Sequence, residues 1–418
     1  MIWRLMDHAN LAEALLREGK YRAAWSACDM GLATAPNNAA LYVCLGRALD
    51  GLERPEEAIA ACDAALRLEP AGATASAAWG VKAQIFTSLD EGQKALDAAT
   101  RSLELAPQRV NALTLMGDVL SWNGDLRTAL PFIEWNWVDE QRRCHERLGA
   151  LPVWTGDDLR GRRLLVTHEQ GYGDAIQMAR YLPFLRARAS RLALECAPAS
   201  LELLRHAPGV DDVLALYAPV NIENYDAYVR MMLLPRMLGV GPEVIGTTPY
   251  LQADPQRITT WRARLGVDGD LRVGIAWAGN ARHVFDFRRS MPLELLSPLS
   301  DVRGVRWFSL VTGERADESV PGWNVEPIGC DFADLADAAA VIAQLDLVIT
   351  VDTAAAHLAG ALGRPVWTML PRRPDWRWAG NGDATPWYPT MRLFRETRAD
   401  WSTVVANVRA ALERLTQG

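Results

Sequence analysis

Two observations predict an α-solenoid followed by a pair of Rossmann-like α/β halves. Proline recurs at Pro36, Pro70 and Pro107, giving periods of 34 and 37 residues, and beyond Arg162 the pattern switches to short apolar runs alternating with helical segments. Length and composition agree: 418 residues, 50% hydrophobic and 23% charged, are ordinary for a globular chain of two to four domains.

The repeats keep their register. Twelve residues before each proline stands an alanine (Ala24, Ala58, Ala95), and eight before stands a small residue (Cys28, Cys62, Ala99). Gly46 and Gly117 hold the close-contact slot of the first helix in two repeats. These features match tetratricopeptide-like helix-turn-helix units, which stack because one unit cannot bury its own apolar face. Four units are predicted, the last from near Val110 to about Trp135, with three extra residues in the turn around Ala71 to Ala77. An irregular helical bundle is the alternative. A repeat array curves into a groove that holds a peptide or a neighbouring domain.

Trp135, Trp137 and the polar run to Gly149 read as the passage out of the array. The turn-rich Pro152 to Asp158 then reads as a linker docked through Trp154. The predicted division is residues 1–140 for the repeats, 141–160 for the linker, 161–255 for the first α/β half and 256–418 for the second with a closing helix. At 90–100 residues the first half is short against the roughly 100–150 of a typical domain.

In the first half, Arg163 to Thr167 is a strand, Gly171 to Asp174 a glycine-rich turn, and Ala175 to Ala187 a helix whose Ile176, Ala179, Tyr181 and Leu182 face the sheet. Strands follow at Leu192 to Cys196, Asp212 to Leu216 and Tyr225 to Val229. The second half opens at Arg272 to Trp277 and continues through Val305 to Leu310, Trp323 to Ile328, Leu347 to Val351, Pro365 to Met369 and Met391 to Phe394. Leu335 to Gln344 is a helix between strands, and Trp401 to Leu415 a closing amphipathic helix. Two such halves leave a cleft at the carboxyl ends of their strands, where these sheets bind ligands.

The net charge of −7 lies wholly in residues 1–140, which carry 12 Lys and Arg against 19 Asp and Glu. An acidic repeat module disfavours nucleic acid and suits a protein partner or a solvated surface. All three lysines (Lys20, Lys82, Lys94) fall there too, so any cation on a phosphate in the α/β part must be an arginine. Cys28, Cys44, Cys62, Cys144, Cys196 and Cys330 form no C-x-x-C pair, which argues against structural zinc and a disulfide framework; reduced, buried thiols are expected. With neither a long apolar run nor a signal-peptide pattern, no membrane span and a cytoplasmic location are expected.

Residues 346 to 367 are the centre of the α/β part. The strand Leu347 to Val351 runs into Asp352-Thr353, which caps a helix of small residues that Gly363 ends. Ala354, Ala355 and Ala356 leave the first-turn N–H groups uncovered, so the stretch reads as a phosphate cradle or as a closely packed strand-to-helix connection.

Four segments carry a family resemblance: Glu169 to Gln177, Trp277-Ala278-Gly279-Asn280, Arg288-Arg289-Ser290-Met291-Pro292, and Val351 to Ala359. With the repeats, they resemble a bacterial tetratricopeptide-repeat glycosyltransferase whose catalytic part is of the two-Rossmann GT-B type and similar to the heptosyltransferase (glycosyltransferase family nine) group. The resemblance implies a metal-independent, inverting transfer of a sugar from a nucleotide diphosphate donor, with no cofactor. The first half is then the acceptor side and the second the nucleotide-sugar side.

By position, the family's general base is Asp174; helix cap is its other open role. His168 is a competing base. Gly171, Gly173 and Gln177 are expected at the substrate, and Trp277, Gly279, Asn280, Asp352, Thr353, Ala354 and Ala355 at the donor. Arg288 or Arg289 would neutralise the diphosphate where heptosyltransferases commonly use lysine, or be solvated. His357 either contacts the donor or packs. After the next strand, Trp376 and Trp378 either stack on a base or sugar or bury between the halves, with burial preferred.

Three functions compete. The leading one is a transferase that glycosylates a protein gripped by the repeats, since a small acceptor needs no peptide-binding superhelix. The others are a transferase acting on a lipid-linked or envelope glycan, which a basic amphipathic surface should accompany, and a silent scaffold that only binds nucleotide or protein.

Overall fold

The computed structural model describes residues 8–133, 147–239, 241, 249–266, 269–281, 286–372, 374–378, 380, 382–396 and 400–417. Trp135, Trp137 and Cys144 lie outside them. The chain forms two compact units, residues 1–137 with 375–380, and residues 138–374 with 381–418.

The first unit holds four antiparallel helix pairs: α1 (His8–Arg17) with α2 (Tyr21–Thr34), α3 (Ala39–Gly51) with α4 (Pro55–Leu68), α5 (Gly72–Ser88) with α6 (Gly92–Leu105), and α7 (Val110–Trp122) with α8 (Leu126–Ile133). Small residues recur because the helices nearly touch there. Ala24, Ala58, Cys28, Cys62 and Ala99 are fully buried, and Ala95 nearly so. A Cβ on Gly46 would stand 2.7 Å from Cys62 Sγ. Gly80 fills the same slot in the third repeat, though more loosely, its nearest neighbour Leu115 lying at 3.4 Å. Between α5 and α6, Ser76 and Ser102 each donate a hydroxyl to the other's carbonyl, at 2.9 and 2.8 Å, so neither buried polar group is left unmatched.

The second unit contains two all-parallel sheets. In the first half, β1 (Arg163–Thr167) leads to α9 (Tyr172–Met178), β2 (Arg191–Cys196), β3 (Asp212–Ala215) and β4 (Ala227–Arg230), in the order β3-β2-β1-β4. The second half begins with α10 (Pro255–Leu265) and continues through β5 (Leu271–Ala276), β6 (Val305–Ser309), β7 (Val325–Glu326), α11 (Leu335–Ile342), β8 (Leu347–Val351), α12 (Ala354–Ala361), β9 (Val366–Leu370), β10 (Met391–Arg395) and α13 (Trp401–Gln417). Its order is β10-β9-β8-β5-β6-β7. Counted from each half's own first strand, both sheets run 3-2-1-4, and the second adds 5 and 6, the doubly wound Rossmann order.

Chain order therefore reverses between β1 and β4 in one half and between β5 and β8 in the other, and ligands bind beyond the carboxyl ends of such strands. The same device pins both reversal points at the opposite end. Asp226, one residue before β4, accepts the Arg163 N–H at 2.8 Å and pairs with its guanidinium; Asp346, one residue before β8, accepts the Arg272 N–H at 2.9 Å and does likewise. The Arg163 hydrogen bonds hold the Asp226 carboxyl down at about 2.

Three expectations are corrected. The helix after β1 starts at Tyr172 rather than Ala175 and breaks into a 3₁₀ turn, Ala179–Tyr181, before Leu182–Arg186; Pro183 cannot donate into a continuous ladder. The strand expected over Trp323 to Ile328 spans only Val325–Glu326. Cys330 is exposed, unlike Cys28, Cys44, Cys62 and Cys196. Trp154 is buried, with its indole N–H on the Asp157 carbonyl at 2.8 Å and its backbone N–H on the Tyr228 carbonyl at 2.7 Å. Among the described residues no helix is long and apolar enough to cross a membrane.

Candidate active site

At the end of β1 the chain turns through Gln170, whose φ of +71° is left-handed, and Gly171 then caps α9 in extended backbone. The glycines of this turn thus serve something other than positive φ. Asp174, half-buried in the first turn of α9, accepts the Gly171 N–H at 2.7 Å. One carboxylate oxygen closes the helix end in this way, so Asp174 combines a capping contact with a place at the reversal point.

His168 is buried, its Nε2 3.1 Å from the Gln170 carbonyl, and its Nδ1 has no partner among the described residues. Burial pushes the imidazole below its ordinary range, against the opposing pull of the Gln170 carbonyl and the Asp174 carboxylate. Glu169, also buried, ties the end of β1 to the end of β4 by pairing with Arg230 at 3.1 Å and accepting the Met232 N–H at 3.0 Å.

Three segments of the second half converge beyond β5 and β8. Arg289 donates from Nη1 to the Asp352 carbonyl at 3.0 Å and from Nε to Asp286 at 3.0 Å. The other oxygen of Asp286 accepts the Ser290 hydroxyl at 2.8 Å, and that hydroxyl accepts the Gly279 N–H at 2.9 Å. A Cβ on Gly279 would lie 2.7 Å from Arg289 Nη2, so the loop needs glycine for this close approach. Asp286 is the organising residue that sequence reasoning missed. Its signal was present: an aspartate three residues before Arg289 and four before Ser290 shares a face with both on one helical turn.

Thr353, rather than Asp352, is the N-cap of α12. Its hydroxyl accepts the Ala355 N–H at 3.3 Å, and its carbonyl accepts the Ala356 N–H at 3.1 Å. Of the three alanine donors, that of Ala354 is the one left open among the described residues. It lies at the positive end of an eight-residue helix that follows a fully buried central strand.

The two halves meet where α9 packs on α12. His357 is buried, with Nδ1 2.9 Å from the Tyr388 hydroxyl, and its ring lies against Gly173, where a Cβ would stand 2.6 Å from Cδ2. Gly173 is what lets the Asp174 turn approach α12.

Several expected contacts fall elsewhere. Trp277 is fully buried and donates its indole N–H to Glu318 at 2.8 Å, so its side chain supports the loop from beneath instead of facing a ligand. Burial alone would raise the Glu318 carboxyl, but hydrogen bonds from Arg315, the Leu293 N–H and Trp277 hold it low. Gln177 is fully buried in α9, and His357 points inward to Tyr388. Arg288, half-exposed, lies over the Phe287 ring at 5.5 Å while Arg289 takes the inner position. Asn280 is exposed at the loop end. Trp376 and Trp378 are buried, but their segment belongs to the repeat unit, packed on α7, rather than between the α/β halves. Among the described residues no group of three or more His, Cys, Asp or Glu could hold a metal ion.

Residues 329–394 match the family model "Glycosyltransferase family 9 (heptosyltransferase)". The chain is 29% identical to Protein FlbA of Caulobacter vibrioides, across 96% of this chain and 72% of that protein. Among solved structures it is similar to a glycosyl transferase family 9 protein from Veillonella parvula, at 14% identity over 61% of this chain and 98% of that one, with a TM-score of 0.44. It is also similar to YrrB, a TPR protein described with an unusual peptide-binding site, at 22% identity over 31% of this chain and 66% of that one, with a TM-score of 0.25. The matched segment contains β8, α12, Tyr388 and nearly all of β10, so this part of the second α/β half is related to glycosyltransferase family 9, and that relation supports a glycosyltransferase.

Proposed function

We propose that the protein is a metal-independent, inverting glycosyltransferase that moves a sugar from a nucleotide diphosphate sugar to a protein held by the repeats. The observation that carries this reading is the packing of α9 on α12 through Gly173 and His357, which sets the helix that carries Asp174 against the helix that the Asp352–Ala354 turn opens. Asp174 takes the proton of an acceptor hydroxyl as its oxygen attacks the anomeric carbon from the face opposite the leaving group. The bond from that carbon to the diphosphate oxygen breaks, and the nucleotide diphosphate leaves with the electron pair. Arg289 and the open Ala354 N–H at the α12 terminus take up the charge that develops on it. The acidic repeats supply the acceptor groove.

A thermal-shift panel of nucleotide diphosphates and nucleotide sugars tests the donor half of the proposal. A ligand at 100 times its dissociation constant adds about 2.7 kcal/mol of apparent stability. The expected result is a shift with one nucleotide diphosphate and its sugar; no shift with any of them favours the scaffold. Transfer of a labelled sugar to protein rather than to lipid or glycan in a cell extract tests the acceptor half.

A further inference from the structure

Arg180 follows α9 in the 3₁₀ turn Ala179–Tyr181 and is only 5% exposed. Among the described residues no carboxylate pairs with it. Its Nε donates to the Gln177 carbonyl at 2.9 Å, Nη1 to the Trp387 carbonyl at 2.8 Å, and Nη2 to the Tyr250 hydroxyl at 3.2 Å. Three rings close around the guanidinium, with centroids 4.8 Å (Tyr250), 5.2 Å (Trp387) and 4.8 Å (Tyr388) from Cζ. A buried cation without a counter-ion is costly, and here cation–π contacts and neutral hydrogen bonds offset the cost. Such an arrangement is worth keeping only if the cation has a task.

Its surroundings indicate one. Arg180 belongs to the first half, Trp387 and Tyr388 to the second, and Tyr250 to the segment joining them. The Tyr250 hydroxyl donates back to the Ile176 carbonyl of α9 at 3.0 Å and lies 3.5 Å from the Tyr388 hydroxyl. Tyr388 in turn meets His357 Nδ1 at 2.9 Å and sits so close to Gly360 of α12 that a Cβ there would be 2.4 Å from its ring. Helix α9 is therefore held at both ends, at Gly173 by His357, and at Ile176 by the Tyr250 hydroxyl and Gln177 by the caged Arg180.

We propose that Arg180 is a positioning residue, a cation of the first half seated in an aromatic cage that fixes Asp174 on α9 in register with the Asp352–Ala354 turn of α12. This rests on the reading of those two turns as one active site. The guanidinium is required for its planar fork, which reaches a carbonyl and a hydroxyl while lying among rings; a lysine ammonium cannot do both.

The test uses the full chain with Cys144 and Cys330 replaced by serine and spin labels at the exposed positions Arg205→Cys and Arg303→Cys, one in each half. Pulsed dipolar spectroscopy then reads the distance between halves in the parent, in Arg180→Met, in Arg180→Lys and in Tyr250→Phe, which keeps its ring and loses its hydroxyl. The expected result is a single narrow distribution in the parent, broadened in Arg180→Met, with Arg180→Lys and Tyr250→Phe intermediate. In parallel, affinity for ADP and UDP as probes of the second half should stay within about two-fold of the parent, while turnover falls at least ten-fold. An unchanged narrow distribution in both Arg180→Met and Tyr250→Phe overturns the proposal, as does a loss of probe affinity equal to the loss of turnover. If Arg180→Met does not fold, Tyr250→Phe decides alone. Because the distance readout needs no reaction, a parent protein that transfers no sugar refutes the proposed function without touching the placement of Arg180.

Discussion

Asp174 is engaged by its own helix end, and this sharpens the experiment that separates its two roles. Asp174→Asn can still accept the Gly171 N–H, so the fold should survive; as general base it cannot be replaced by an amide, and initial rates should fall by about 10²–10⁴ while donor affinity holds. An Asn variant with full activity would move the base to His168. His168 makes its own prediction. Its imidazole is held below its ordinary range by burial, so the folded state resists protonation more than the unfolded chain does. Stability from this group is complete above the unfolded value of about 6.5 and is lost as pH falls from there through the folded value. Denaturant midpoints should therefore drop between pH 7.5 and 5.5, and His168→Leu should flatten that slope. Arg289→Ala has two costs. It removes the proposed diphosphate contact, and it strips buried Asp286 of its guanidinium, so both nucleotide diphosphate affinity and stability should fall, the latter by about 1–3 kcal/mol in denaturant titration.

At the scale of elements, the start of α12 offers a variant that changes one donor and little else. Proline is favoured at the first helical position, and the preceding Thr353 already has the extended backbone that proline demands, with φ −141° and ψ 174°. Ala354→Pro should thus melt within a few degrees of the parent yet bind a nucleotide diphosphate more weakly by calorimetry. Equal affinity would place the phosphates elsewhere. In the repeats the decisive quantity is helix separation. Gly46→Val would press its first carbon into Cys62 Sγ and the Ala58 carbonyl, and overpacking of this kind costs about 1–3 kcal/mol in thermal or denaturant unfolding. Gly80→Ala, at the looser slot, should cost less.

For the whole molecule, the division of labour can be tested by removing residues 1–135. Binding of nucleotide diphosphate should persist, because the sheets, α9 and α12 lie in the other unit, while transfer to a protein acceptor should disappear. Residues 375–380 group with the repeats, so this truncation also uncovers Trp376 and Trp378. Lower solubility is expected, and it should ease when both tryptophans are replaced by serine. Full-rate glycosylation by the truncated chain would mean that the repeats are not the acceptor clamp.

The sequence by itself determined whatever rests on local periodicity. The prolines and small residues spaced by 34 and 37 positions declare helix pairs that pack at close range, and apolar runs such as Leu347–Val351 declare buried parallel strands. The positions of the Gly171–Asp174 turn, a few residues beyond β1, and of the Asp352–Ala354 turn, directly after β8, were legible for the same reason, since each inherits its place from the strand before it. Tertiary structure alone decided which way side chains turn and what meets across long separations. Trp277 follows β5 as a binding residue would, yet its indole goes inward to Glu318, 41 residues away, because that half-buried carboxylate accepts its N–H. Gly173 looks like turn chemistry but is glycine because His357 occupies the space of a side chain. Arg180 and the Trp387 carbonyl are 207 residues apart. No window of sequence contains both, and only the folding of two sheets toward one another gives that buried cation its cage.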